Sequence, residues 1–119
     1  IYTYSFEKLD VWQNAKSLVK DIYKITRTFP DEERFGITNQ IRRATTSITA
    51  NIAEGLYRNT TKDKLKFINI SYSTSIEVIN FLILSFDLEF IPEEKYIELR
   101  EKAEKITNQL NALYHSLNT

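Results

Sequence analysis

Only two glycines (Gly36, Gly55) and two prolines (Pro30, Pro92) are spread over the 119 residues. That scarcity limits the fold more than any other feature. Tight turns draw on Gly and Pro, and a β-protein of this size needs many of them. Few breakers leave few, long elements. Between the breakers, apolar residues recur at steps of three and four, the spacing of a helix with one buried face.

The first such stretch runs from 7 to 29, with Leu9, Trp12, Ala15, Val19, Ile22, Tyr23, Thr26 and Phe29 on one stripe and Ser5 or Asp10 as its cap. Pro30 ends it, because proline lacks an amide donor and biases its predecessor away from helix. Residues 30–36 read as a corner into which Phe35 tucks. A second helix spans 37–57, with Ile37, Ile41, Ala44, Ile48, Ile52 and Leu56 inside. Its many Ala, Ser, Thr and Gly residues predict the most enclosed helix of the set, with Gly55 permitting a close crossing. Thr60 and Asp63 fit a capping box and open a third helix over 61–88. That helix carries two apolar stripes, one through Leu65, Ile68, Tyr72, Ser75, Ile79, Leu82 and Phe86, the other through Phe67, Ile70, Thr74, Val78, Phe81 and Leu88. One stripe serves a two-layer bundle, and two predict burial on more than one side. Pro92 suits the start of a fourth helix over 92–117, where Tyr96, Leu99, Ala103, Ile106, Leu110, Leu113 and Leu117 hold a heptad spacing. Four such rods with short connectors must alternate in direction. The expected fold is therefore a single all-α domain over 1–119, an antiparallel up-down four-helix bundle.

The chain has no cysteine, which removes disulfides and thiolate metal sites and makes the cytosol the expected compartment. The first residues lack a basic start followed by an apolar run, so no secretory signal is expected. The longest apolar run, Phe81–Phe86, is far below the ~20 residues of a membrane span. Net charge is zero, yet unevenly spread. Residues 41–66 carry Arg42, Arg43, Arg58, Lys62, Lys64 and Lys66 against Glu54 and Asp63, whereas 67–101 carry seven acids against two cations.

Nothing in the chain assembles a catalytic constellation. The one histidine, His115, lies near the end of the last helix. A di-iron bundle needs Glu-x-x-His pairs, and Ala112 stands where the glutamate would be. No phosphate-binding loop, dinucleotide glycine pattern or serine elbow occurs. No enzyme activity, cofactor or metal is expected. The distinctive runs are Gln40-Ile41-Arg42-Arg43-Ala44 and Asn51-Ile52-Ala53-Glu54-Gly55. Read structurally, Arg42 or Arg43 bridges to a carboxylate such as Glu77. Read functionally, Arg42, Arg43, Arg58, Lys62, Lys64 and Lys66 form a basic strip for phosphates, with Tyr57 and Tyr72 supplying stacking. The second stripe of helix three, and the enrichment of aromatics in interface cores, mark Phe67, Phe81 and Trp12 as candidate contacts between subunits.

These runs also carry a resemblance. Leu9-Asp10-Val11-Trp12-Gln13-Asn14-Ala15, Phe29-Pro30-x-x-Glu33-x-Phe35-Gly36, Gln40-Ile41-Arg42-Arg43-Ala44 and Ser47-Ile48-x-Ala50-Asn51-Ile52-Ala53-Glu54-Gly55 resemble the bacterial "four helix bundle protein" family, known as reading frames in intervening sequences of large-subunit ribosomal RNA genes. The match spans roughly residues 6–117. It departs at Ser73-Thr74, where the family has Gly-Ser, and at Glu89, where the family has a glycine before helix four. The resemblance implies a homo-oligomer, a ring of five bundles. The accessory protein of diversity-generating retroelements is similar in fold and pentameric form, and it binds nucleic acid. That analogy implies RNA or a ribonucleoprotein as partner, although fold alone does not transmit function. The neutral charge argues against a strong non-specific binder, and the competing expectation is a scaffold with no nucleic-acid role.

Overall fold

The computed structural model describes all 119 residues. It contains four helices and no strand: α1 (Asp10–Thr26), α2 (Ile37–Leu56), α3 (Thr61–Asp87) and α4 (Glu93–Leu117), with single 3-10 turns at Ser5–Lys8 and Asp31–Glu33. α1 packs on α2 and α4, α3 on α2 and α4, and the diagonal pairs do not meet. The helices therefore stand at the corners of a square, with short connectors that reverse the chain each time. The body measures 43 × 30 × 22 Å.

α1 is shorter than the 7–29 stretch its pattern suggests. After Thr26 the amides of Arg27, Thr28 and Phe29 bond three residues back instead of four, the tightening common at helix ends. At the other end of the bundle, Tyr4 caps the first 3-10 turn, its amide donating to Glu7 Oε2 at 2.7 Å. Thr60 caps α3 by accepting from the Asp63 amide at 3.1 Å, but the reciprocal bond of a full capping box is not made. Pro92 takes the cap position of α4. The turn into α4 is a Schellman motif: Phe90 N donates to Ser85 O at 2.8 Å and Glu89 N to Phe86 O at 2.9 Å. That geometry puts Glu89 at φ 64°, the left-handed region, which explains why a glycine suits this position.

The core takes Val11, Ala15, Leu18 and Ile22 from α1; Ile37, Ile41, Ala44, Ile48 and Ile52 from α2; Ile68, Val78, Phe81 and Leu82 from α3; and Leu99, Ala103, Ile106 and Leu110 from α4. The inner faces of α2 and α4 match their sequence stripes. On α1 the buried face is rotated: Leu18 is inside and Tyr23 outside. On α3 the buried face runs Ile68, Ser71, Ser75, Val78, Leu82 and Ser85, between the two apolar stripes. Its serines bond backbone carbonyls: Ser71 reaches across to Ile48 O at 3.1 Å, and Ser75 and Ser85 bond within the helix, each at 2.7 Å. Small side chains there let α2 and α3 approach closely. At Gly55 the approach is tightest, because a Cβ on it would lie 2.9 Å from Phe67 Cβ.

Phe35 does not tuck into the corner; it is 85% exposed, with Arg34 over its ring. Phe29 fills that place, packed on Phe90 at 5.4 Å between ring centres.

Candidate nucleic-acid interface

The six cations of the basic strip fall into two groups. Arg42 and Arg43 lie early in α2, whereas Arg58, Lys62, Lys64 and Lys66 surround the α2–α3 turn. Fifteen residues of helix put Arg43 and Arg58 about 22 Å apart along the axis.

Arg42 is half-buried and holds α2 to α1. Its Nε donates to Thr26 Oγ1 at 2.8 Å, and its guanidinium lies 4.8 Å from the centre of the Tyr23 ring. Arg43 is exposed and shares a shallow polar concavity with Glu77, Gln40 and Ser47. The α2–α3 bridge expected from the sequence does not form: the four ion pairs are Arg58–Glu54, Lys95–Glu98, Arg100–Glu104 and Lys102–Asp21, and neither Arg42 nor Arg43 joins one.

At the α2–α3 turn, Arg58 pairs with Glu54 at 2.6 Å and stacks over Phe67 at 4.3 Å. Lys62, Lys64 and Lys66 have no carboxylate partner. Lys62 and Lys66 are exposed, four residues apart on one face, and Lys64 is half-buried. All three sit in the first two turns of α3, where the helix dipole adds positive potential.

Sequence reasoning missed the aromatic cluster beside this turn. Tyr57 meets Tyr4 at 5.8 Å and Phe6 at 6.2 Å; Tyr4 meets Tyr2 at 4.9 Å; Phe6 meets Trp12 at 5.2 Å. Ser5 donates to the Tyr57 hydroxyl at 3.3 Å, pinning the first residues across the end of α2. Tyr2, Tyr4 and Tyr57 remain exposed. The signal was available as the alternation Tyr2-x-Tyr4-x-Phe6, but nothing in the sequence placed that run beside Tyr57. Tyr72 lies elsewhere, with Asn69, Asn111, Tyr114 and His115 in a groove between α3 and α4.

The candidate interface residues also separate. Trp12 and Phe67 are half-buried, Trp12 beneath Phe6 and Lys16, Phe67 beneath Arg58. Phe81 lies in the core at 9% exposure and offers little surface. Among the apolar side chains left outside are Ile70, Ile76 and Leu84 on α3, Leu88 just beyond its end and Ile97 on α4. α3 is by length and composition apolar enough to cross a membrane, and only a third of its most apolar stretch is buried inside the bundle. The sequence reading, which weighed only unbroken apolar runs, missed this.

No group of three or more acids and histidines gathers as a metal site. Arg100 is held further into its charged form, chiefly by the hydrogen bond its Nη1 makes to the Tyr96 hydroxyl at 2.6 Å. It braces α4 and faces none of the cations above.

Comparison with known proteins follows the same lines. The family model of the 23S rRNA-intervening sequence protein matches residues 7–112. The chain is similar to the crystal structure of a protein with unknown function from the S23 ribosomal protein family of Bacteroides thetaiotaomicron VPI-5482. The identity is 25%, the TM-score 0.79, and the match covers 87% of this chain and 97% of that one. No curated protein matches it. The chain belongs to the 23S rRNA-intervening sequence protein family.

Proposed function

We propose that this member of the 23S rRNA-intervening sequence protein family is a non-enzymatic homo-oligomer that binds single-stranded RNA at the α2–α3 end of each bundle. The observation that carries the RNA reading is the set of unpaired lysines, Lys62, Lys64 and Lys66, at the start of α3 beside exposed Tyr57 and Tyr4. Cations that track phosphates next to rings that stack bases are the two parts of a sequence-tolerant single-strand binder. Arg43 adds a free cation farther along α2, whereas Arg42 and Arg58 already have partners within the subunit.

Self-association rests on the outer face of α3. Ile76, Leu84 and Ile70 stand uncovered, and Glu77 is the one charged side chain between Lys66 and Asp87. A copy of the chain suits that face better than lipid does, because Asn69, Ser73, Asn80 and Glu77 share it, and such groups are costly to bury in hydrocarbon. The ring of five implied by the family resemblance would repeat the lysines around an axis, so weak phosphate contacts would act together.

Fluorescence anisotropy with a single-stranded RNA tests the reading. Wild type should bind at ~50 mM salt and weaken steeply as salt rises, since each neutralised phosphate releases counterions. Lys62→Ala/Lys64→Ala/Lys66→Ala should bind more weakly, with a log–log salt slope shallower by about 2, at roughly 0.7 per single-strand phosphate. No binding by wild type, or full binding by the triple variant, removes the RNA reading. A scaffold without a nucleic-acid role, for which the uncovered face of α3 already speaks, is then the account of this protein.

A further inference from the structure

The corner joining α1 to α2 lies at the opposite end of the bundle from the lysines. It borders an open concavity of about 240 Å³, lined by Arg27, Arg34 and Arg42 together with Thr26, Thr38 and Asp31; a second carboxylate, Glu33, lies at the start of α2, where a Cβ on Gly36 would come 3.2 Å from its oxygens. None of the three arginines forms an ion pair. Arg42 is already oriented, its Nε on Thr26 Oγ1 and its plane over Tyr23. The one hydrogen bond of its outer nitrogens is the long one from Nη2 to Tyr23 O, at 3.5 Å.

Thr38 is the unusual member. It is 8% exposed, and its hydroxyl is the one buried side-chain polar atom in the protein without a hydrogen-bond partner. The other buried threonines bond a carbonyl of the preceding turn, Thr26 to Ile22, Thr45 to Ile41 and Thr107 to Glu104, each at 2.6 Å. For Thr38 the carbonyl four residues back belongs to Arg34, which precedes the helix. Thr38 stands in the first turn of α2, whose start has no side-chain cap. The first amides of a helix lack carbonyl partners and attract anions. An uncapped helix start, an orphan buried hydroxyl and three unpaired guanidinium groups therefore meet in one concavity.

We propose that this corner is a binding site for a phosphate group. The planar forks of Arg27 and Arg34 would take two of its oxygens, as guanidinium groups do. Arg42 would supply a pre-positioned third donor set, and the Thr38 hydroxyl, which has no surface open to solvent, would turn about its Cα–Cβ bond toward the anion to gain the acceptor it lacks. The shared chemistry is a phosphate oxygen, supplied either by a free or terminal phosphomonoester or by a nucleic-acid backbone. The proposal does not depend on RNA binding at the lysines.

The test is nuclear magnetic resonance on the full chain, with inorganic phosphate titrated against chloride at matched ionic strength. Saturable shifts are expected at the Ile37 and Thr38 amides and at Arg42 Nε, and not at Lys62 or Lys66. Arg27→Gln/Arg34→Gln should weaken that response at least tenfold with helicity unchanged. Thr38→Val should raise the melting temperature in phosphate-free buffer and reduce the further rise that phosphate produces. A merely structural threonine would leave that further rise intact. A second arm compares one short RNA bearing a 5′-hydroxyl with the same RNA bearing a 5′-phosphate. A response to both assigns the site to backbone phosphates, and a response to the phosphorylated form alone assigns it to monoesters. The proposal is overturned if the corner shows no saturable response to any of these probes. It is equally overturned if the double arginine variant responds like wild type, or if the phosphate-induced rise survives Thr38→Val in full.

Discussion

The two faces of α3 carry similar apolar content and have opposite fates. The inner face, Ile68, Ser71, Ser75, Val78, Leu82 and Ser85, is sealed against α2 and α4. The outer face, with Ile76, Leu84 and Ile70, stays 37–47% exposed. Side-chain size separates them. Three serines on the inner face let the helices close to the distance at which Gly55 admits no Cβ without displacing Phe67. The branched residues outside are too bulky for that crossing, and they are the ones left free to meet another molecule. A stripe of large apolar residues therefore marks what is sticky, while a stripe of small ones marks where backbones touch.

The difference can be broken from the inside first. Ile48 is fully buried and its carbonyl accepts from Ser71, so Ile48→Ala should cost about 4 kcal/mol by the usual scale for truncating a buried aliphatic. Urea denaturation should show the loss as a lower midpoint at unchanged slope. Gly55→Ala should cost about 2 kcal/mol in the same measurement, because the new methyl overpacks the α2–α3 crossing. At the end of α3, Glu89→Gly should instead stabilise by about 1 kcal/mol, since it relieves a left-handed backbone that L side chains disfavour. Changes to the outer face should be smallest within the subunit. Ile76→Lys/Leu84→Lys should keep full helicity and cost no more than about 0.5 kcal/mol per site in subunit folding, as exposed substitutions do.

Much of this was legible in the residues. The scarcity of Gly and Pro, the breakers at Pro30 and Pro92, and the single clean stripes of α2 and α4 lead directly to four helices and their inner faces. Gly55 and the family's glycine position at Glu89 were readable too, because a close crossing and a left-handed turn each leave a mark on residue choice. What was not legible was rotational phase. α1 and α3 each carry more apolar residues than one stripe holds. Periodicity alone cannot tell that Leu18 is inside and Tyr23 outside, or that the α3 core runs through its serines. That Phe81, a candidate subunit contact, lies in the core of the subunit reflects the same ambiguity.

The site was harder still, because a cation's partner is a matter of distance in space. Sequence spacing placed Lys62 and Lys66 on one face correctly. It could not foresee that Arg42 would rest on Tyr23 and Thr26 of another helix, or that Arg43 would share a concavity with Glu77 without forming an ion pair. The aromatic cluster joins residues 2–12 to Tyr57, and the arginine corner joins Arg27 and Arg34 to Arg42. Both depend on chain reversals that bring distant segments together, which local pattern does not encode.

The central claim is that the uncovered outer face of α3 is covered by other copies of this chain, and light scattering at micromolar concentration tests it most directly. Wild type should give a mass several times the 14.0 kDa of one chain, five times if the ring is the state, and Ile76→Lys/Leu84→Lys should bring that mass toward one chain with helicity intact. A wild-type mass of one chain, or an assembly that the double variant leaves whole, would contradict the account.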